Sequence, residues 1–491
     1  MTLSLGLSSF AELPDAVGSP KYVRDQLSAG ILHIGIGNFH RSHQGVYLND
    51  LLNAGGDPAW AIRGAGVRQP DAQMRQLLSE QDWLYSVVEV KHDTYKADII
   101  GAMIDFVEVA PKGNAPLINA MSNPETKIVS LTVTEGGYFV DASTGTFDMT
   151  HPDIAADVAN PGAPNTVFGA ILAGLSARRA EGTAAFTVLS CDNLPGNGDV
   201  ARAAIMEMAK AQDPDLAKWV ADNVSFPNGM VDRITPATGQ RERDMLLSKF
   251  GIQDNFPVFC EPFRQWVLED KFVNGRPELE TVGVTFTDDI HAFERMKIRL
   301  LNGGHAILAY PSALMGIEFV HDAMDNDLIQ SYLRKVLTQD VMHLVDPVPG
   351  FTPAAYIDSI CGRFENPGVA DTTSRLCYDG TNRQPKFIIP SIRDGLKAGH
   401  MPNGLALSSA LWCQYCKGMT DAGNVIADND PDWANLQTTA RRASADPVVW
   451  LSQDDVYGDL AQDAGFVAAF TEALKSLEAN GTEATLRSYL S

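Results

Sequence analysis

The sequence predicts a doubly wound α/β domain over residues 1–287, followed by a mainly α-helical domain over residues 288–491. Short β-branched apolar runs alternate with helical stretches as far as Thr285, the pattern of a parallel sheet with helices on its faces. Beyond it the chain reads as helices broken by Pro and Gly loops.

Residues 31–36 read as a buried strand that runs into glycine and then an amphipathic helix to about Leu52. Residues 60–67 are a second strand. Residues 128–134 (IVSLTVT) are continuous and β-branched, which suits a strand covered on both faces. A helix over 167–180, a strand over 184–191 and a helix over 200–211 follow. Residues 288–311 form one long helical pattern with Asp289 as its N-cap, and further helices are expected over 328–345, 404–415 and 466–479.

The chain has 491 residues, with 38 Lys+Arg against 61 Asp+Glu, a formal charge of −23. That balance repels phosphate backbones and anionic lipids, so neither nucleic acid nor a membrane surface is expected as partner. No apolar run approaches the roughly 18–20 residues of a membrane span, and residues 1–20 lack the basic start of a secretory signal. Six cysteines are too few for a disulfide framework and read as reduced thiols in a cytoplasmic chain. Cys413 and Cys416 form a lone C-x-x-C, read as two helix-face cysteines rather than a redox or metal pair.

The first strand ends in Gly35, Ile36, Gly37, Asn38 and Phe39. A strand, G-x-G and a helix form a cradle for a dinucleotide pyrophosphate, because bare backbone allows close approach and the helix start offers N–H donors. His40 stands where the third glycine of that fingerprint belongs, so the turn also suits a purely structural role. His40 and His43 lie three apart, but no further ligand stands at a metal-binding spacing, and no metal is expected. Arg41 suits either a pyrophosphate or packing.

Lys297, Asn302 and His305 lie on the long helix that opens the second half. At about 100° per residue, Asn302 lies about 140° and His305 about 80° around from Lys297, spread over roughly 12 Å. Gly303 and Gly304 between them each cost a helix about 1 kcal/mol relative to alanine, and their bare backbone would admit a cofactor or substrate. The same spacing suits a polar helix face with a glycine break. The chemical reading is proton transfer: an alcohol losing hydride needs a base for its hydroxyl proton and donors for the oxyanion. Lysine serves as that base only when burial or nearby cations lower its pKa from about 10.4. Asn302 would donate to the alkoxide and His305 would orient hydroxyl groups.

At these motifs the chain resembles the polyol-specific long-chain dehydrogenases. The resemblance covers GIGNFHRSHQ at 35–44, IVSLTVTEGGY at 128–138, SCDNLP at 190–195 and MVDRITP at 230–236. It continues through CEPF at 260–263, WVLEDKFVNGRP at 266–277 and MKIRLLNGGH at 296–305. It implies an α/β Rossmann-type N-terminal domain, a mainly α-helical C-terminal domain, and metal-independent, NAD(P)-dependent hydride transfer. It implies Lys297 as general base, Asn193 and Asn302 as oxyanion donors, and His305, Asp232, Arg375 and Arg383 as polyol contacts. Arg383 stands where a relative has lysine. Glu294, one turn before Lys297, would relay protons to solvent or simply pair with it. Glu135 and Tyr138 match the family too, and strand-end packing also explains them. The chain has no Y-x-x-x-K dyad and no Cys/His/Glu set resembling catalytic zinc, which leaves lysine as the best candidate base.

Asp71 matches an acidic family position that would take the ribose 2′-hydroxyl of NAD, whereas Arg68 would accept the 2′-phosphate of NADP. NAD is the expected cofactor, with NADP as the alternative. The wording of the middle motifs points to D-mannitol, oxidised at C2 to D-fructose. A hexuronate reductase such as fructuronate reductase, or a dehydrogenase of D-arabinitol or D-sorbitol, is the alternative within the superfamily. A non-catalytic NAD(H)-binding sensor is the alternative outside it. The resemblance also implies a monomer, and nothing reads as a coiled coil.

Overall fold

The computed structural model describes residues 2–110, 112–141 and 145–491. Cα packing divides the chain into Met1–His291 and Ala292–Ser491.

The first unit is built on five parallel strands: β1 (Ile31–Ile34), β2 (Ile62–Ala65), β3 (Met103–Phe106), β4 (Ile128–Leu131) and β5 (Thr187–Ser190). Their order across the sheet is β3-β2-β1-β4-β5. Every residue of β1, β4 and β5 is buried, which explains their uninterrupted apolar runs. The expected strands over 60–67, 128–134 and 184–191 contract to four residues each: 66–67, 132–134 and 191 become loop at the sheet's carboxyl edge, and 60–61 and 184–186 fall before the strands. Helix Val167–Glu181 starts at Thr166, whose hydroxyl accepts the Gly169 N–H at 3.0 Å, and stops at Gly182, φ 69°.

Strand order reverses between β1 and β4. In open α/β sheets such a reversal opens a crevice at the carboxyl ends, where ligands bind. Besides a short parallel pair of Leu3–Ser4 with Ile252–Gln253, two larger further sheets occur among the described residues. One pairs Tyr85–Lys91 with Thr94–Ile100 as an antiparallel hairpin and adds Val258–Cys260 and Val17–Gly18. The other joins Gly229–Asp232, Gln265–Leu268 and Thr285–Phe286.

The second unit is helical. The single helix expected over 288–311 is three pieces: Ile290–Met296, a π-helical turn over Lys297–Asn302, and Gly303–Leu314. The Gly303 N–H bonds the carbonyl of Ile298, five residues back instead of four. The segment expected over 328–345 divides in the same way, into Asp327–Val336, a π turn over Leu337–Val341 and a 3-10 turn over Met342–Leu344. Helix Asn403–Cys416 packs against Ala464–Leu490, which Gly481 interrupts at φ 77°. Cys413 and Cys416 are both buried on the former, and burial pushes both thiols up, so they stay protonated at neutral pH. Among the described residues no helix is long and apolar enough to cross a membrane.

Candidate active site

The glycine turn sits at the strand reversal. Gly35 has φ +101°, and a Cβ there would lie 2.1 Å from the Thr132 carbonyl oxygen, so only glycine fits. The Gly35 N–H bonds the Ala65 carbonyl at 3.0 Å, and the Gly35 carbonyl accepts the Gly37 N–H at 2.8 Å. Nothing lies within 4 Å of the Cβ position of exposed Gly37. Bare backbone facing open space at the start of a helix is what a pyrophosphate needs, and these residues fit a dinucleotide. Ile36 offers only backbone to this turn, because its side chain is buried beside Gly64. Asn38 and Phe39 open helix Asn38–Ser42 and are half-buried, Asn38 donating to the Pro236 carbonyl at 3.3 Å.

Of the two readings of Arg41, the structure supports packing. Its guanidinium is fully buried, donates to the Phe256 carbonyl and to Asn38 Oδ1, and faces the rings of Phe256 and Tyr85. His40 stacks on His33 at 3.5 Å, and His43 bonds the Gln265 carbonyl at 2.8 Å. Burial pushes His33 and His43 down to about 3, so both are neutral rings of the core.

Arg68 and Asp71 follow β2. Asp71 Oδ2 accepts the N–H groups of Val67 and Arg68 at 3.0 and 2.9 Å, so the acid shapes the turn that presents Arg68. The Arg68 side chain is 69% exposed.

Asn193 lies exposed in the loop after β5, and Asp232 is buried at the end of strand Gly229–Asp232. Two neighbours that sequence reading gave no role hold these loops. Asp192 accepts the N–H groups of Val133 and Thr134, both at 2.9 Å, and the Tyr138 hydroxyl at 2.7 Å. Asn197 donates to the carbonyls of Asp192 and Gly229 at 3.0 and 2.8 Å and accepts the Gly229 N–H at 2.9 Å. Thr134 keeps φ +66°, a costly conformation for a β-branched residue, beside this clamp. Side-chain facts for Glu135 lie outside the described residues.

In the second unit, Lys297 opens the π turn and Asn302 closes it. Lys297 is 7% exposed, Glu294 on the preceding turn is buried, and Asn302 is half-buried. The wider turn alters the angular relation that a regular helix would impose on Lys297 and Asn302. His305 stacks on Phe364 at 4.2 Å. The two glycines serve packing rather than ligand access. A Cβ on Gly303 would sit 3.3 Å from the Phe387 carbonyl, and one on Gly304 would touch Leu337, Leu333 and Phe364 at 3.6–3.7 Å.

Helix Thr373–Cys377 packs against Gly303–Leu314, and Gly380–Phe387 packs against the π turn. Arg375 donates through Nε and Nη2 to the two carboxylate oxygens of Asp371, each at 2.5 Å. Arg383 Nη1 donates to the carbonyls of Arg375 and Leu376 at 3.3 and 3.2 Å. The two arginines are therefore joined through backbone, beside the helix that carries Lys297, Asn302 and His305.

Two family models match the chain: the mannitol dehydrogenase Rossmann domain over residues 29–281 and the mannitol dehydrogenase C-terminal domain over 289–478. The chain is 57% identical over 475 residues to mannitol 2-dehydrogenase of Cereibacter sphaeroides, covering 97% of this chain and 99% of that one. It is 38% identical over 492 residues to mannitol 2-dehydrogenase of Phaeosphaeria nodorum, covering 99% of this chain and 86% of that one. Among solved structures it is similar to Pseudomonas fluorescens mannitol 2-dehydrogenase in ternary complex with NAD and D-mannitol. That match has 41% identity and TM-score 0.90, and covers 99% of each chain. It is also similar to a substrate-free D-sorbitol dehydrogenase, with 34% identity and TM-score 0.90 over 98% of this chain and 100% of that one. The Rossmann-type sheet, the helical second unit and the relatives agree: the chain belongs to the mannitol dehydrogenase family.

Proposed function

We propose that this chain is an NAD-dependent polyol dehydrogenase that reversibly oxidises D-mannitol at C2 to D-fructose, without a metal, using Lys297 as general base. The observation that carries the chemistry is the buried Lys297 at the head of a π turn that Asn302 closes. Similarity at 57% identity along 97% of the chain to a mannitol 2-dehydrogenase supports the choice of substrate.

When bound, NAD supplies the hydride acceptor. The turn from Gly35 through Ile36, Gly37 and Asn38 to Phe39 would hold its pyrophosphate, and Arg68 and Asp71 would face the ribose. Lys297 takes the proton of the C2 hydroxyl as the oxygen develops negative charge. Asn193 and Asn302 donate to that oxygen. His305, Asp232, Arg375 and Arg383 orient the remaining hydroxyls, and Glu294 passes the proton from Lys297 towards solvent. A non-catalytic sensor has no use for a buried base.

Two second readings have specific support. The exposed Arg68 side chain suits a 2′-phosphate, which favours some NADP use. The likeness to a D-sorbitol dehydrogenase keeps D-sorbitol as a substrate alternative. Coenzyme reduction measured with D-mannitol, D-arabinitol, D-sorbitol and D-mannonate, each with NAD and NADP, tests all of this. The highest kcat/KM is expected for D-mannitol with NAD. A strong preference for mannonate would replace the proposal with the hexuronate reading.

A further inference from the structure

Arg375 is half-exposed, yet both oxygens of a carboxylate that is itself 7% exposed are committed to it. Such a planar bidentate pair fixes the guanidinium in orientation and cancels its charge. The fold reinforces it locally. Asp371 is held by its own carbonyl, which accepts the Val320 N–H at 3.0 Å, and Thr372 caps helix Thr373–Cys377, its hydroxyl accepting the Arg375 N–H at 3.3 Å. Burial works against the Arg375 charge, but the hydrogen bonds and charge of Asp371 outweigh it and hold the guanidinium above its ordinary value. The Nη1 group of Arg375 and one hydrogen on Nη2 remain outside the pair, and these can donate to a neutral hydroxyl. A sugar acid needs more: its carboxylate loses water on binding and requires a cation whose charge is not already cancelled.

We propose that Asp371 is a specificity-determining positioning residue, which holds Arg375 as a neutralised hydroxyl donor and so discriminates against sugar acids in favour of neutral polyols. This rests on the reading that Arg375 contacts the polyol. Removing the Asp371 charge returns a free cation to the same place, so selectivity moves towards carboxylates.

The test uses the full-length enzyme with saturating NAD. KM and kcat for D-mannitol, and the inhibition constant of D-mannonate against it, are measured for the parent, Asp371→Asn, Asp371→Ser, Asp371→Glu and Arg375→Ala, with a thermal melt for each. In Asp371→Asn and Asp371→Ser, KM for mannitol is expected to rise several-fold with a smaller change in kcat. The mannonate inhibition constant, taken relative to that KM, is expected to fall at least tenfold. Asp371→Glu should restore the parental ratio, which a merely structural role would not require. A ratio within twofold of the parent in both folded neutral variants overturns the proposal. So does failure of both neutral variants to fold, since the pair would then serve only the fold. If Arg375→Ala leaves the mannitol KM unchanged, the reading of Arg375 as a polyol contact fails first. If it raises that KM while the Asp371 ratio stays put, this inference alone fails.

Discussion

The phenol oxygen of Tyr138 joins two strand ends, sharing a 2.5 Å hydrogen bond with Ser190 and donating to Asp192 at 2.7 Å. Through Asp192 it also steadies the backbone of Val133 and Thr134, next to Asn193. Tyr138→Phe should therefore cost about 1–2 kcal/mol of stability, read as a lower denaturant midpoint at unchanged m-value. An unchanged midpoint would show the hydroxyl to be idle. At this scale legibility depends on how far away a residue's reason lies. Gly35 was readable because the strand–G-x-G–helix pattern that carries it is contiguous in the sequence, although its close approach to the Thr132 carbonyl was not. Asp192 and Asn197 were not readable, because they bond segments about 30 to 60 positions away. Asp71 showed its acidic character in sequence, but its role as cap of the turn appears only once the Val67 and Arg68 N–H groups converge on it.

At the scale of elements, β1, β4 and β5 were visible because strands buried on both faces are written as continuous apolar runs. The hairpin of Tyr85–Lys91 and Thr94–Ile100 escaped notice, since it belongs to a separate sheet whose other members lie at opposite ends of the unit. The π turn escaped for a different reason. Apolar spacing near 3.6 continues on both sides of it, and an added residue within one turn leaves no composition signal. Yet Lys297 and Asn302 stand at its two ends, and π turns recur at functional sites. The glycines that follow separate helix propensity from packing. Gly304→Ala places its methyl at ordinary contact distance from Leu333, Leu337 and Phe364, and should stabilise by up to about 1 kcal/mol. Gly303→Ala meets the Phe387 carbonyl at 3.3 Å and should gain less or lose stability. Thermal midpoints of the two variants, compared with the parent, check the order, and a larger gain for Gly303→Ala would contradict this packing.

At the scale of the whole molecule, the division into an α/β unit and a helical unit was legible, because it rests on texture summed over hundreds of residues. The strand order was legible only as a class. Which strands neighbour one another depends on crossovers that no local run records. One property follows from the buried rings beneath the glycine turn. His33 and His43 are held near 3 by burial, whereas the unfolded chain takes up protons near the ordinary value of about 6.5. Below about 6.5 the unfolded state thus binds more protons, so their contribution is full above that pH and drains away as pH falls towards about 3. At pH 5 each should have lost roughly 2 kcal/mol of stabilisation. Denaturant midpoints between pH 7 and pH 5 should fall, and His43→Gln, which keeps a donor for the Gln265 carbonyl, should flatten the decline. An equally steep decline in that variant would remove His43 from the account.

The chemistry proposed for the molecule converges on the amine of Lys297. The most direct measurement is the single-turnover rate of Lys297→Ala with D-mannitol and NAD, beside its affinity for NADH. Loss of a general base should lower the rate by roughly a thousandfold or more while NADH still binds with parental affinity. A variant that oxidises mannitol at the parental rate would contradict the assignment of the base.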